Sequence, residues 1–271
     1  MMKKLLIVLS LLFLTGCAPA QPAETSVPTT LPVETEPVPT ETTVPTTLPV
    51  ETEPAPTETT VPTTQPQKVK WNLPGVPVED VITWFNEVCL DAEMVHSGDA
   101  SLLQKWTQPI RYQIFGDPTE EDLAVLGGFA QWLNTIEGFP GMTETAEGGN
   151  LWIHFVSEEE LQNIMGPGFS NMDGAVTFWY DQNEIYDATI CIRTDLSQTL
   201  RNSVILEELY NGLGPIQDTS LRPDSIIWAD FSEPQSLTAA DELILKLLYH
   251  PEMRPGMDVN QCETVIRELY E

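Results

Sequence analysis

The stretch DLSQTLRNSVILEELYNGLGPIQD (residues 195–218) determines how the rest of the chain is interpreted. Apolar residues recur in it at helical spacing, and Gly214 suits the left-handed backbone with which many helices end. We therefore predict a central helix over residues 196–213. Strand-like segments precede this helix and helical segments follow it, an order that predicts an α+β fold.

Four segments before the central helix alternate between apolar and polar residues or are rich in β-branched and aromatic residues. They predict a small mixed sheet of about four strands packed on helices, with strands at residues 109–116, 151–156, 175–181 and 184–194.

Helix starts are indicated by capping residues. Asp117, followed by Pro118, is expected to begin one helix, and Ser157 with Glu160 three positions later to begin a short one. Thr238 is expected to cap a helix over residues 237–249.

The chain begins MMKKLLIVLSLLFLTGC, two lysines followed by an apolar run too short to span a bilayer as a mature helix. Its end, LTGC, resembles the lipobox of bacterial lipoproteins. The resemblance implies that residues 1–16 are a signal peptide and that Cys17 is lipidated. It also implies anchoring on the extracytoplasmic face of the cell membrane, at the bacterial surface.

A repeat rich in proline, threonine and glutamate follows: ETEPVPTETTVPTTLPV (34–50) recurs almost unchanged as ETEPAPTETTVPTTQPQ (51–67). Such a segment has little apolar surface to bury, so residues 17–67 are predicted to be a disordered stalk. The composition then changes, and residues 68–271 are predicted to form a single globular α+β domain.

Charge and cysteines limit the function further. The formal net charge is −29, which argues against nucleic acid as a partner.

Beyond Cys17 the cysteines are Cys89, Cys191 and Cys262. Cys89 and Cys262 lie on apolar helical stripes and are expected first as core residues, with a Cys89–Cys262 disulfide as the alternative.

The central helix resembles the active-site helix of metzincin zinc peptidases, which carry HExxHxxGxxH. Two histidines one turn apart and a third beyond a glycine hold the zinc, and the glutamate polarises water. In register, the glutamate and glycine are kept as Glu208 and Gly214. The three ligand positions are changed to Glu207, Asn211 and Gln217, so the resemblance implies a zincin-like fold without its zinc site.

A closer likeness covers nearly the whole domain. The segments at 102–116, 205–218 and 237–257 resemble a bacterial lipoprotein family known as domain of unknown function 2927. That family usually has glutamine where this chain has Asn211, and Asn-Asp where it has Gln217-Asp218. The likeness supports the fold and the localisation but implies no chemistry.

The candidate converted site therefore comprises Glu207, Glu208, Asn211, Gly214, Gln217 and Asp218. Amide oxygens are poor zinc ligands, so no metal or other cofactor is expected. Calcium or magnesium, which take oxygen ligands, is the weaker alternative. The favoured interpretation is a polar anchor in which Arg193 and Arg201 are candidate partners for the buried Glu207 carboxylate.

These observations favour a cell-envelope lipoprotein whose zincin-like domain is inactive and binds a peptide or an envelope partner. One alternative is a peptidase-like hydrolase with an oxygen-ligand metal site, in which Glu208 is the only candidate catalytic residue. The other is a purely structural envelope protein.

Overall fold

The computed structural model of the chain describes residues 70–90 and 101–271. The predicted signal peptide, Cys17 and the predicted stalk lie outside the described residues. The helices are α1 (Val78–Cys89), α2 (Glu120–Leu133), α3 (Glu158–Met165), α4 (Gln198–Asn211), α5 (Ala239–Tyr249) and α6 (Val259–Leu269). The strands are β1 (Lys105–Trp106), β2 (Ile110–Gly116), β3 (Met142–Glu144), β4 (Leu151–Val156), β5 (Gly174–Asp181) and β6 (Glu184–Arg193).

The strands form one mixed sheet. Its order is β1-β6-β4-β2-β3, with all neighbours parallel, and β5 pairs antiparallel with β6. The centre of the sheet is apolar on the face that joins the main core, where Ile153 of β4 and Ile190 of β6 are paired and fully buried. Strand β5 has β6 along one edge, and along its other edge it pairs with no strand within residues 70–90 and 101–271.

Helix α4 lies across this sheet. It packs on β5 and β6 on one side and on α2 on another, so every residue from Arg201 to Asn211 is buried. A helix buried on all sides is typical of the centre of a domain. Ser197 begins the helix because its side chain accepts a hydrogen bond from the backbone N–H of Leu200.

The four long predicted strands are confirmed to within a residue, but the expected sheet of about four strands is too small, because the sheet has six. The two strands that sequence patterns missed, β1 and β3, have two and three residues. Segments this short show no alternation of apolar and polar residues. They are strands only because β1 pairs with β6 and β3 pairs with β2. The parallel pairs joined through α2 and α3 give the fold an α/β character that the α+β prediction lacked.

One predicted helix start was wrong. Asp117 does not cap α2. Instead, Thr119 does, because its hydroxyl accepts from the N–H of Asp122 while the Asp122 carboxylate accepts from the N–H of Thr119. The predicted caps at Ser157 and Thr238 are confirmed. The central helix is shorter than the predicted 196–213, since it runs from Gln198 to Asn211.

The three cysteines beyond Cys17 are free and fully buried. Cys89 and Cys262 lie in the packed ends of α1 and α6 as core residues, and the alternative disulfide between them is absent. Burial raises the pKa of the Cys262 thiol to about 12. No helix in the described ranges combines the length and apolar character needed to cross a bilayer.

Candidate functional site

A cavity lies where the start of β5 crosses α4. Its lining residues are Met172, Asp173, Gly174, Ala175, Val176, Val204, Glu207, Glu208, Asn211 and Asp218. Its volume is about 30 Å³, enough for about one or two water-sized groups. Four of the six residues predicted as a converted site, Glu207, Glu208, Asn211 and Asp218, therefore meet at one place.

Gly174 brings the strand and the helix together. A Cβ at this position would lie 2.4 Å from Val204 Cγ1 and 3.0 Å from Glu208 Cγ. Only a residue without a side chain lets β5 approach α4 this closely. The backbone of β5 is thereby placed against the carboxylates of the helix.

Asn211 links the end of α4 to the following loop. Its amide nitrogen donates to Asp218 Oδ1 at 3.2 Å. Its side-chain oxygen is buried without a hydrogen-bond partner, and the residue is only 3% exposed. Through Asp218, this side chain ties the end of the helix to the loop.

Gln217 does not line the cavity, although its position in the motif corresponds to the third ligand of a metzincin. The backbone N–H of Gln217 donates to Val88 O at 3.3 Å, which holds this residue against the end of α1. Asp218, one residue further along, points to Asn211 instead. Sequence register alone could not distinguish these neighbours, because the loop is not helical and its side chains follow no fixed period.

Gly214 does not end the helix, because α4 ends at Asn211 with Gly212 as its C-cap and Gly214 lies in the loop that follows. Its φ is +127°, and an added Cβ would lie 2.6 Å from Gln104 O. The glycine therefore turns the chain away from α4 and lets it pass close to the segment that leads into β1. Its role is conformational.

The carboxylates of α4 are buried: Glu207 is 3% exposed and Glu208 is 7% exposed. The two predicted arginine partners bind other carboxylates. Arg201 pairs with Asp122 at 2.8 Å, and Arg193 pairs with Asp195 at 2.7 Å. Burial, and then the Glu208 charge, raises the pKa of the Cys191 thiol to about 12.

The donors at the three motif positions differ from the imidazoles of a metzincin. The donors at the three motif positions are one carboxylate and two amides, of which only Glu207 and Asn211 reach the cavity. In the described ranges, no group of three or more histidine, cysteine, aspartate or glutamate side chains is arranged to hold a metal ion. Carboxylate and amide oxygens instead make the cavity a set of hydrogen-bond acceptors.

A second polar cluster supports the loop after α4, and the sequence did not reveal it. The Asp241 carboxylate is fully buried at the start of α5. It accepts from Arg222 Nη1 and Ser225 Oγ, both at 2.6 Å, and from the backbone N–H of Ile226 at 3.2 Å. The capping position of Asp241 was a visible signal, but its contacts 15–19 residues earlier in the chain depend on the fold.

Comparisons with known proteins identify the family to which the chain belongs. The family described as "Protein of unknown function (DUF2927)" matches residues 79–268. A solved structure titled "Crystal structure of myroilysin" is 12% identical, with a TM-score of 0.38, and the match covers 66% of this chain and 99% of that one. A likeness this distant does not bear on function. No curated protein matches the chain.

Proposed function

This chain belongs to the DUF2927 family of proteins of unknown function, and we propose that it is a lipid-anchored envelope protein that binds an extended peptide segment of a partner. The observation that carries the proposal is the placement of the acceptor-lined cavity beside a strand with no second strand partner in the described ranges. Such a strand can add a peptide to the sheet through backbone hydrogen bonds.

The hydrogen-bond pattern identifies the backbone groups that would receive the peptide. The N–H of Arg193 donates to Asp173 O at 3.1 Å, so residues 173, 175 and 177 direct their backbone groups towards β6. Because an antiparallel ladder alternates, Gly174, Val176 and Phe178 direct theirs to the other edge. Gly174 is partly exposed, whereas Val176 and Phe178 are each 1% exposed as whole residues, so a peptide can reach this edge at Gly174 and must displace what covers the other two positions.

The site lacks the groups expected of a peptidase. No imidazole occupies the three motif positions, which hold Glu207, Asn211 and Gln217. Glu208 keeps the position of the glutamate that polarises water in metzincins, but the oxygen donors beside it suit zinc poorly. Peptide binding without cleavage is the function that this chemistry favours.

The test uses the full chain, purified in detergent and immobilised, to select peptides from a library of random linear 12-residue sequences. A selected peptide is then resynthesised with a single N-methyl group at each position in turn. A peptide bound as a strand should lose affinity at alternate positions, by several-fold for each lost hydrogen bond, and tolerate methylation in between. A scrambled peptide is the control.

Uniform tolerance of N-methylation would overturn binding at a sheet edge. Mass spectrometry of the recovered peptide tests the hydrolase alternative. Cleavage together with one zinc, calcium or manganese ion per chain, both lost in Glu208→Gln, would replace the proposed function with catalysis.

A further inference from the structure

The sheet has a second face, opposite to the one that joins the main core. Along β4, β6 and β5 this face is formed by the residues that alternate with the core residues. At one end it is covered by α3, where Val156, Cys191 and Ala175 belong to a small apolar cluster with that helix. Thr177, two residues along β5, still reaches α3, because its hydroxyl donates to Met165 Sδ at 3.8 Å.

Two tryptophans lie on this face beyond α3. Trp152 pairs with Thr189 across β4 and β6, and Trp179 pairs with Asp187 across β5 and β6. All four residues are partly exposed, and we call them the tryptophan platform. Neither tryptophan packs on the main core or on the cluster beneath α3. Tryptophan is enriched at binding surfaces, because its ring is apolar and its N–H is polar.

The tryptophan platform offers hydrogen-bond donors and an acceptor together. Within residues 70–90 and 101–271, neither indole N–H donates to a protein group and the Asp187 carboxylate accepts from none. Burial raises the pKa of Asp187 to about 6, so this carboxylate is mostly ionised at pH 7 and acts as an acceptor. The hydroxyl of Thr189 can donate or accept. A ligand of this surface therefore needs both donors and acceptors beside an apolar face.

The spacing of the two rings distinguishes a platform from a cage. Trp152 and Trp179 lie two strands apart and one pair apart along the strands, which separates their Cα atoms by about 12 Å in an ordinary sheet. An aromatic cage for a cation brings several rings within about 6 Å of one charge. Strand β6 lies between the two tryptophans, so the rings suit neighbouring units of an extended ligand instead.

We propose that the tryptophan platform binds a glycan chain of neutral sugar rings. A sugar ring has an apolar face of C–H groups, which the electron-rich face of an aromatic ring attracts, and a rim of hydroxyls that donate and accept. The formal net charge of −29 opposes an acidic glycan. This inference goes beyond the proposed function and does not depend on it, since no residue of the tryptophan platform lines the cavity.

The first test measures glycan binding directly. The full chain is purified in a polyoxyethylene detergent, which carries no sugar, immobilised, and titrated with chitohexaose, cellohexaose and the acidic hexagalacturonate. At least one of the two neutral glycans should bind saturably, and hexagalacturonate should bind several-fold more weakly than that glycan. Tighter binding of chitohexaose identifies an acetamido group as the recognised group, and tighter binding of cellohexaose identifies a hydroxyl. If neither neutral glycan binds, or if the acidic one binds equally well, the inference is wrong.

Variants locate the binding. Trp152→Ala and Trp179→Ala should each weaken it by several-fold to about tenfold, the loss expected for one aromatic contact. Trp179→Phe keeps an aromatic ring and should retain more affinity than Trp179→Ala. The control is Phe231→Ala, which removes a ring that is 70% exposed in the loop between α4 and α5 and should leave affinity unchanged. Urea denaturation shows whether each variant is folded, and unchanged affinity in both folded alanine variants of the platform would overturn the inference.

Asp187 and a cationic probe supply the last comparison. Asp187→Asn keeps the shape of the side chain but removes its charge, and it should weaken glycan binding several-fold, because hydrogen bonds to an ionised acceptor are the stronger ones. Choline chloride tests the cation alternative. If choline binds saturably and Trp179→Ala abolishes its binding, while neither neutral glycan binds, the surface is a cation site and the inference fails.

Discussion

Single residues show how the site differs from that of a zinc peptidase. Asn211 uses its nitrogen to bind Asp218 and leaves its oxygen without a partner. An imidazole could donate or accept at either nitrogen, but an amide has fixed donor and acceptor ends. At this position asparagine orients a loop and offers an acceptor, whereas a histidine could bind a metal.

The residue whose loss should cost most stability is Asp241. Asp241→Ala removes five hydrogen bonds, two of them from Thr238, and leaves the buried Arg222 without its ion-pair partner. We expect the free energy of unfolding to fall by about 3–5 kcal/mol, measured by urea denaturation. Glu79→Ala, which breaks the exposed pair with Arg267, is the control and should change the midpoint far less. Equal shifts would contradict the structural role of Asp241.

Lys105 should make stability depend on alkaline pH. Its Nζ donates to Leu248 O and Met253 O, and burial lowers its pKa to about 8. The ordinary lysine pKa is about 10.4, so between these values the unfolded chain binds more protons and stability rises with pH. Relative to Lys105→Met, the wild-type chain should therefore gain stability from pH 8 to pH 10, as measured by urea denaturation. A pH-independent difference between the two proteins would refute the lowered pKa.

Among elements, the crossing of β5 and α4 decides whether the site exists. The strand supplies backbone groups at its edge, and the helix supplies the carboxylates of Glu207 and Glu208. The two meet only because Gly174 lacks a side chain. Their separation would disconnect the proposed peptide edge from the cavity even if both elements stayed folded.

Two glycine substitutions test this crossing. Gly174→Ala should destabilise the chain by about 1–3 kcal/mol, because the added methyl group overlaps Val204. Gly127→Ala is the matched control, since it lies within α2 with no heavy atom within 4 Å of an added Cβ. This change should be neutral or stabilise the chain by up to about 1 kcal/mol. Thermal denaturation measures the stability of both variants. Equal destabilisation by Gly174→Ala and Gly127→Ala would show that β5 and α4 do not pack tightly at Gly174.

For the whole molecule, the proposed arrangement is a domain held away from the membrane by a stalk. A stalk of about 50 residues would reach on the order of 150 Å in polyproline II geometry. A formal net charge of −29 opposes direct contact with anionic lipid. A lipid on Cys17 would supply the attachment that the domain surface does not.

Metabolic labelling with radioactive palmitate tests this attachment. The full chain should incorporate the label, and Cys17→Ser should not, because a hydroxyl does not replace the thiol that the lipid modifies. Cys191→Ala should keep the label, since this cysteine is fully buried in the domain. Labelling of Cys17→Ser at the wild-type level would disprove the proposed lipid anchor.

Sequence patterns located the four long strands and two of the three predicted helix caps, because alternation and capping depend on residues a few positions apart. The buried polar character of Glu207 and Asn211 was also visible, since both share a helix face with the apolar Leu200 and Val204. The start of α2 was misplaced by two residues, because Asp117 and Thr119 both have side chains that cap helices.

The sequence by itself determined the local elements, the acidic charge and the presence of Glu207, Asn211 and Gln217 at the positions that match the three histidines of the metzincin motif. All of these are properties of residue types and short spacings. Only the tertiary structure decided the sheet order, the choice of Asp218 over Gln217 at the cavity, and the partners of Arg193 and Arg201. These outcomes join residues far apart in the chain. They depend on which surfaces meet when the core is buried, and no local pattern encodes that.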